Sequence, residues 1–117
     1  MPTKVELEAV VNGCHPPQPR TLARYGLTAV DWCLILKRQN WQCPLCGKGR
    51  GALWNIDHEH VAGWAKMPDE ERVKYVRGIL CFHCNKYKAP SRITGPEAGK
   101  LSRYIKNYER RRNNALK

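Results

Sequence analysis

The chain has 117 residues and a mass of 13.5 kDa, enough for one domain with a thin apolar core. A formal net charge of +11 points to polyanions rather than acidic surfaces as partners. No apolar run reaches the roughly 18 residues that a membrane span needs, and Met1–Gly13 lacks a signal peptide's apolar stretch, so the six cysteines are expected in a reducing, cytoplasmic compartment.

Thr3 and Glu6 are spaced as a capping box for a short helix running to Val11 and ended by Gly13, while the valines there suit a strand equally well. Both readings stand. Cys14-His15-Pro16-Pro17-Gln18-Pro19 is expected to be extended, because proline removes donors and biases its predecessor away from helix. Residues 1–24 therefore read as an N-terminal extension and proline-rich linker. Thr28 and Asp31 then stand as N-cap and N3 of a helix ending near Asn40, with Trp32, Ile35 and Leu36 on its apolar side and Cys33 as a small buried hydrophobe. Its expected place is over the cysteine pairs that follow.

Those pairs are Cys43-Pro44-Leu45-Cys46 and Cys81-Phe82-His83-Cys84. Four thiolates at this spacing complete a tetrahedral zinc shell without help, which makes zinc structural and leaves Cys14 and His15 outside it. A pair of disulfides and a redox Cys-x-x-Cys are the competing readings. The 34 residues between Cys46 and Cys81 exceed the usual ribbon loop of about 15 to 20. Something is inserted between the halves of the clip.

Gly47–Gly51 reads as a basic loop, Leu53–Ile56 as a short strand with Asp57 and His58 at its end, and Val76–Leu80 as a second strand. Between them, Val61–Tyr75 carries a small helix predicted from Pro68, with an acidic first turn that suits the helix dipole. A helical turn or two is expected from Cys84 through Lys86. Thr94-Gly95-Pro96-Glu97 is a capping box for a last helix, whose Leu101, Tyr104, Ile105 and Tyr108 fall on one stripe. That stripe either folds back on its own domain or pairs with a second copy as a homodimer. Arg103, Lys106 and Arg110 line another face suited to phosphates, and Arg110–Asn114 reads as a frayed basic tail. From Lys86 to Lys117 there are ten basic residues against two acidic, a net of +8.

The cluster bracketed by the cysteines has the parts that phosphodiester hydrolysis needs. Asp57 and Asn85 offer hard oxygens for Mg²⁺, and His58 a base that titrates near working pH. His60 lies two residues on, facing the side that His58 faces along an extended chain, where it could orient substrate or water.

Tyr25-Gly26-Leu27-Thr28, Cys43-Pro44-Leu45-Cys46, Ile56-Asp57-His58-Glu59-His60 and Val76-Arg77-Gly78-Ile79-Leu80-Cys81-Phe82-His83-Cys84-Asn85 together resemble the phage recombination endonuclease VII family, within the His-Me finger (ββα-metal, HNH-like) nucleases. The resemblance covers residues 25–88 in order and, more loosely, the final helix. It implies an α+β fold with a small ββα-metal core over residues 25–90, an insertion at 61–75 and a basic helix and tail over 91–117. It implies a DNA endonuclease in which Asp57 and Asn85 bind one catalytic Mg²⁺ or Mn²⁺, His58 is the general base and His60 positions substrate. It also implies structural zinc on Cys43, Cys46, Cys81 and Cys84, and products with 5′-phosphate and 3′-hydroxyl ends. DNA contacts are expected from Arg77, Lys86, Lys88, Arg103, Lys106 and Arg110. Expected partners are duplex, nicked or branched DNA and phage recombination or packaging proteins, in the bacterial host's cytoplasm. A non-catalytic zinc-ribbon module that binds nucleic acid is the alternative, one that would not need Asp57, His58 and Asn85 together.

Overall fold

Local signals decide the first elements of the computed structural model, which describes residues 2–88 and 96–116. Thr3 and Glu6 form a reciprocal capping box, Glu6 N donating to Thr3 Oγ1 at 3.2 Å, so the open choice at the N-terminus resolves as helix α1 (Lys4–Val11). The linker expectation holds for residues 14–18, which form no helix or strand, and fails at Pro19. A helix, α2 (Pro19–Arg24), begins at Pro19, where the missing N–H costs nothing because first-turn donors lack intrahelical partners. Thr28 and Asp31 box the start of α3 (Ala29–Arg38) as expected, Asp31 N donating to Thr28 Oγ1 at 3.1 Å.

Strand β1 (Trp54–His58) pairs antiparallel with β2 (Val76–Cys81). Trp54 faces Cys81 and Asp57 faces Gly78, but His58 faces Val76, so Arg77 is an extra residue on β2. This is a bulge, and it frees Arg77 from the ladder. Between the strands run two short 3₁₀ turns, Trp64–Lys66 and Val73–Tyr75, around the one-turn helix α4 (Asp69–Arg72). Gly26, at φ +74°, lets this segment dock: a Cβ there would lie 2.5 Å from the Asp69 carbonyl oxygen. A wide π turn, Cys84–Lys88, follows β2, and α5 (Pro96–Leu116) closes the fold. Thr94 and Gly95 of the expected capping box lie outside the described residues.

Two apolar centres result. The larger joins α1, α2, α3 and the sheet around Trp32, Cys33, Leu36, Ala9, Cys14 and Ile79. The smaller surrounds the cysteine clip with Leu45, Leu80 and Tyr104, flanked by Leu101 and Ile105. The expected cover of the clip is thus corrected: α3 belongs to the main core, and α5 lies over the cysteines. The α5 stripe folds back on its own domain, burying Tyr104 and Tyr108. Nor does the chain fray after Arg110. It stays helical, Arg111 Nη2 donating to the Arg77 carbonyl at 2.9 Å and Arg112 pairing with Glu59. No helix among the described residues is long and apolar enough to cross a membrane.

Candidate functional site

The first knuckle is shaped by Gly47 at φ +80°, whose N–H donates to the Cys43 carbonyl at 2.8 Å while the Cys43 N–H reaches Lys48 O at 2.8 Å. This turns the Lys48 N–H to Cys46 Sγ at 3.4 Å, and after β2 the Cys84 N–H points at Cys81 Sγ at the same distance. The four sulfurs of Cys43, Cys46, Cys81 and Cys84 lie within 4.8 Å of one another, and Cys46 and Cys81 are 3.6 Å apart. A disulfide needs about 2.05 Å, whereas a tetrahedral zinc with bonds of about 2.3 Å sets its sulfurs about 3.8 Å apart. The cluster can hold a metal such as zinc. Burial pushes the Cys43 and Cys84 thiols up, so metal uptake must release protons.

Because side chains alternate along β1, Asp57 and His58 face opposite sides of the sheet. Asp57 is the one charged residue buried among those described, 6% exposed, beneath α5. The Tyr104 hydroxyl donates to its Oδ2 at 2.8 Å and Arg77 Nη2 to its Oδ1 at 3.1 Å. Arg77 Nε also comes within 2.9 Å of Oδ2, although that N–H is not aimed along the contact, and Nη2 reaches the His58 carbonyl at 3.2 Å. The bulge is what makes this possible, since it releases Arg77 to fold back over Asp57. Gly78, opposite Asp57, completes the arrangement by lacking a Cβ, which would sit 2.9 Å from the Tyr104 ring.

On the other face, the His58 ring packs against three rings. Trp64 stacks on it at 4.1 Å between centroids, His60 lies at 4.5 Å, and Tyr25 meets it edge-on at 5.5 Å. A cavity of about 460 Å³ opens here, lined by His58, His60, Gly63, Trp64 and Lys66. Burial, then the neighbouring His60, holds the His58 pKa below its usual value against the opposing pull of Asp57, so the imidazole is neutral at neutral pH. Glu59 leaves the strand towards α5. There a hydrogen bond from the Tyr108 hydroxyl at 2.7 Å, with Arg112 beside it, keeps its carboxyl below the usual carboxylate range.

The expected residues are thus distributed around the hairpin. Asn85, half-buried on the turn after Cys84, makes no hydrogen bond to Asp57 among the described residues. Arg77, expected at a phosphate, is turned inward onto Asp57. Lys86 lies with its ammonium 5.5 Å from the Phe82 ring centre, Arg103, Lys106 and Arg110 are exposed along α5, and the Lys88 side chain lies outside the described residues. Sequence reasoning missed Trp64, Tyr104, Arg111 and Arg112. Only Tyr104 carried a signal, its place on the apolar stripe, and that signal concerns packing rather than polar contact.

Fold and site define a small α+β domain in which a four-cysteine cluster and a long helix pin one hairpin bearing an Asp-His pair. The chain belongs to the recombination endonuclease VII family, whose family model matches residues 18–107. It is also similar to the Gene 59 protein of Mycobacterium phage D29, 35% identical over 72 residues, and to that of Mycobacterium phage L5, 33% identical over 72 residues. Each match covers 60% of this chain, and the chain spans 37% of the length of these relatives. No solved structure matches it.

Proposed function

We propose that the chain is a DNA endonuclease of the His-Me finger (ββα-metal, HNH-like) kind, with the nuclease core at 25–90 and zinc on its four clustered cysteines. Family membership supports the class. The observation that carries the residue assignment is the neutral, ring-packed His58 on a strand whose next residue back is the buried Asp57.

In this reading His58 takes a proton from water through its unprotonated ring nitrogen as the water oxygen attacks phosphorus. The P–O3′ bond then breaks, leaving a 5′-phosphate and a 3′-oxygen that takes a proton from solvent. His60, exposed beside His58, orients substrate. Asp57 and Asn85 have the oxygen chemistry to hold Mg²⁺ or Mn²⁺, and such an ion would supply charge neutralisation at phosphorus and the leaving oxygen once the Asp57 carboxylate, held beneath α5 across the sheet from His58, swings towards the end of the strand. A carboxylate offers about four lone pairs, and Arg77 and Tyr104 leave part of Asp57 Oδ1 uncommitted. Arg77 must therefore yield or share when a cation arrives. Lys86, Lys88, Arg103, Lys106 and Arg110 hold the DNA backbone, with little sequence reading. A homodimer formed through a surface other than the α5 stripe, phage recombination or packaging proteins as partners and the bacterial cytoplasm as location belong to the same proposal.

One observation favours the second reading, a non-catalytic zinc module that binds nucleic acid: Asp57 is already satisfied by its own chain, as a structural ion pair would be. End analysis of incubated duplex separates the two. Mg²⁺-dependent products with 5′-phosphate and 3′-hydroxyl ends, from protein holding one zinc per chain, are expected of the nuclease. Bound but intact DNA over a range of duplex, nicked and branched substrates would favour the module.

A further inference from the structure

We propose that the hollow between the end of α3, the bulge of β2 and α5 seats one backbone phosphate of the bound nucleic acid. Its volume is about 160 Å³, and its lining gathers Arg38, Arg77, Lys100, Arg103 and Arg111 with Asn107, and no carboxylate. Arg77 is neutralised by Asp57. Among the described residues no acid pairs with the other four cations.

These charges come from three separate elements, so their assembly is a product of the fold rather than of a basic run in the sequence. It has a cost. Burial and the charge of Arg111 draw the Arg38 pKa down, and burial does the same to Arg111. Like charges gathered in a concavity without an internal acid are balanced from outside, by an anion. Size narrows its identity, because pockets for drug-sized ligands span roughly 300–1,000 Å³ and this one suits a single phosphate group. Its neutral groups agree. Tyr104 is committed to Asp57, and the Gln39 amide to the backbone of Ile79, leaving Asn107 to add a donor beside the cations. The exposed Arg103, Lys106 and Arg110 continue the positive surface along α5. A chain of phosphodiesters can follow that line away from the seat.

The inference rests on nucleic acid as the ligand and not on cleavage, so its test is run in EDTA, where failure of the catalytic reading cannot affect it. Anisotropy of a labelled duplex is measured over a salt series with wild type, Arg38→Gln/Lys100→Gln and the control Lys4→Gln/Arg20→Gln, which removes equal charge elsewhere. Each phosphate neutralised contributes about 0.9 to the slope of log affinity against log salt. The pocket variant should bind severalfold more weakly on any sequence, with the slope reduced by about 1, while the control stays near wild type. Equal weakening in the control, or unchanged affinity and slope in the pocket variant, would overturn the seat. Inorganic phosphate is the second arm: if the pocket variant loses it yet keeps full DNA affinity, the ligand is free phosphate and the backbone assignment is wrong.

Discussion

The indole of Trp64 lies stacked on the imidazole of His58, centroids 4.1 Å apart and planes 24° from parallel. Its Nε1 donates to the Arg72 carbonyl at 3.2 Å, which ties the ring to α4. The segment inserted between the strands thus supplies one wall around His58. Such aromatic pairs contribute roughly 0.5–1.5 kcal/mol to holding the two rings together, and with the imidazole less firmly oriented in Trp64→Ala cleavage should slow, by roughly severalfold. DNA affinity should hold, and single-turnover kinetics on a defined nicked duplex, beside a binding isotherm, would check both.

The surroundings of His58 also set its titration. In zinc-loaded protein kept free of Mg²⁺ and Mn²⁺ its NMR midpoint should fall below the ordinary histidine value of about 6.5, because burial and then His60 disfavour the imidazolium. His60→Asn removes the like-charged neighbour and should move the midpoint up. The depressed folded pKa means that the stability contributed by neutral His58 is present above the unfolded pKa and lost as pH falls through the folded one. An upward midpoint in wild type would contradict the burial argument.

A methyl group at Gly78 tests how α5 is held over the sheet. Its Cβ would meet Gln39 Oε1 at 2.7 Å and the Tyr104 ring at 2.9 Å, and Gln39 bonds the β2 backbone at Ile79. Overpacking of this kind costs typically 1–3 kcal/mol. Gly78→Ala should show that loss in denaturant unfolding with zinc content unchanged, and a neutral effect would mean that α5 sits further from the sheet.

Removing Arg77 asks whether Asp57 accepts a cation. Arg77→Gln leaves a buried carboxylate without its counter-charge, a change that costs about 3–5 kcal/mol at a site where Asp57 is 6% exposed. Added Mg²⁺ or Mn²⁺ should restore part of the melting temperature in this variant and not in Arg77→Gln/Asp57→Asn. No restoration would leave Asp57 a structural partner alone.

The sequence was legible where a signal lies within one turn or one strand. Thr3–Glu6 and Thr28–Asp31 announced their helices because a capping box is complete in four residues. The two Cys-x-x-Cys pairs announced the cluster for the same reason. Helix α2 was hidden because Gln18 makes no side-chain cap and the prolines before it signal extension. The bulge at Arg77 is a one-residue change of register with no marker in composition. Tyr104 to Asp57 and Arg112 to Glu59 join residues 47 and 53 positions apart, which only the packing of α5 brings together. A run of arginines therefore read as a frayed tail, although two of its members dock the helix.

Whether His58 is the base is decided by nicking of supercoiled plasmid by wild type and His58→Ala, matched for zinc content and DNA affinity, with Mg²⁺ and with EDTA. One cut relaxes a circle, so even slow cleavage is visible. Wild type should nick in a Mg²⁺-dependent manner that EDTA abolishes and that the variant lacks. Nicking by His58→Ala at the wild-type rate would contradict that role, because the neutral imidazole packed against Trp64 would then not be the base.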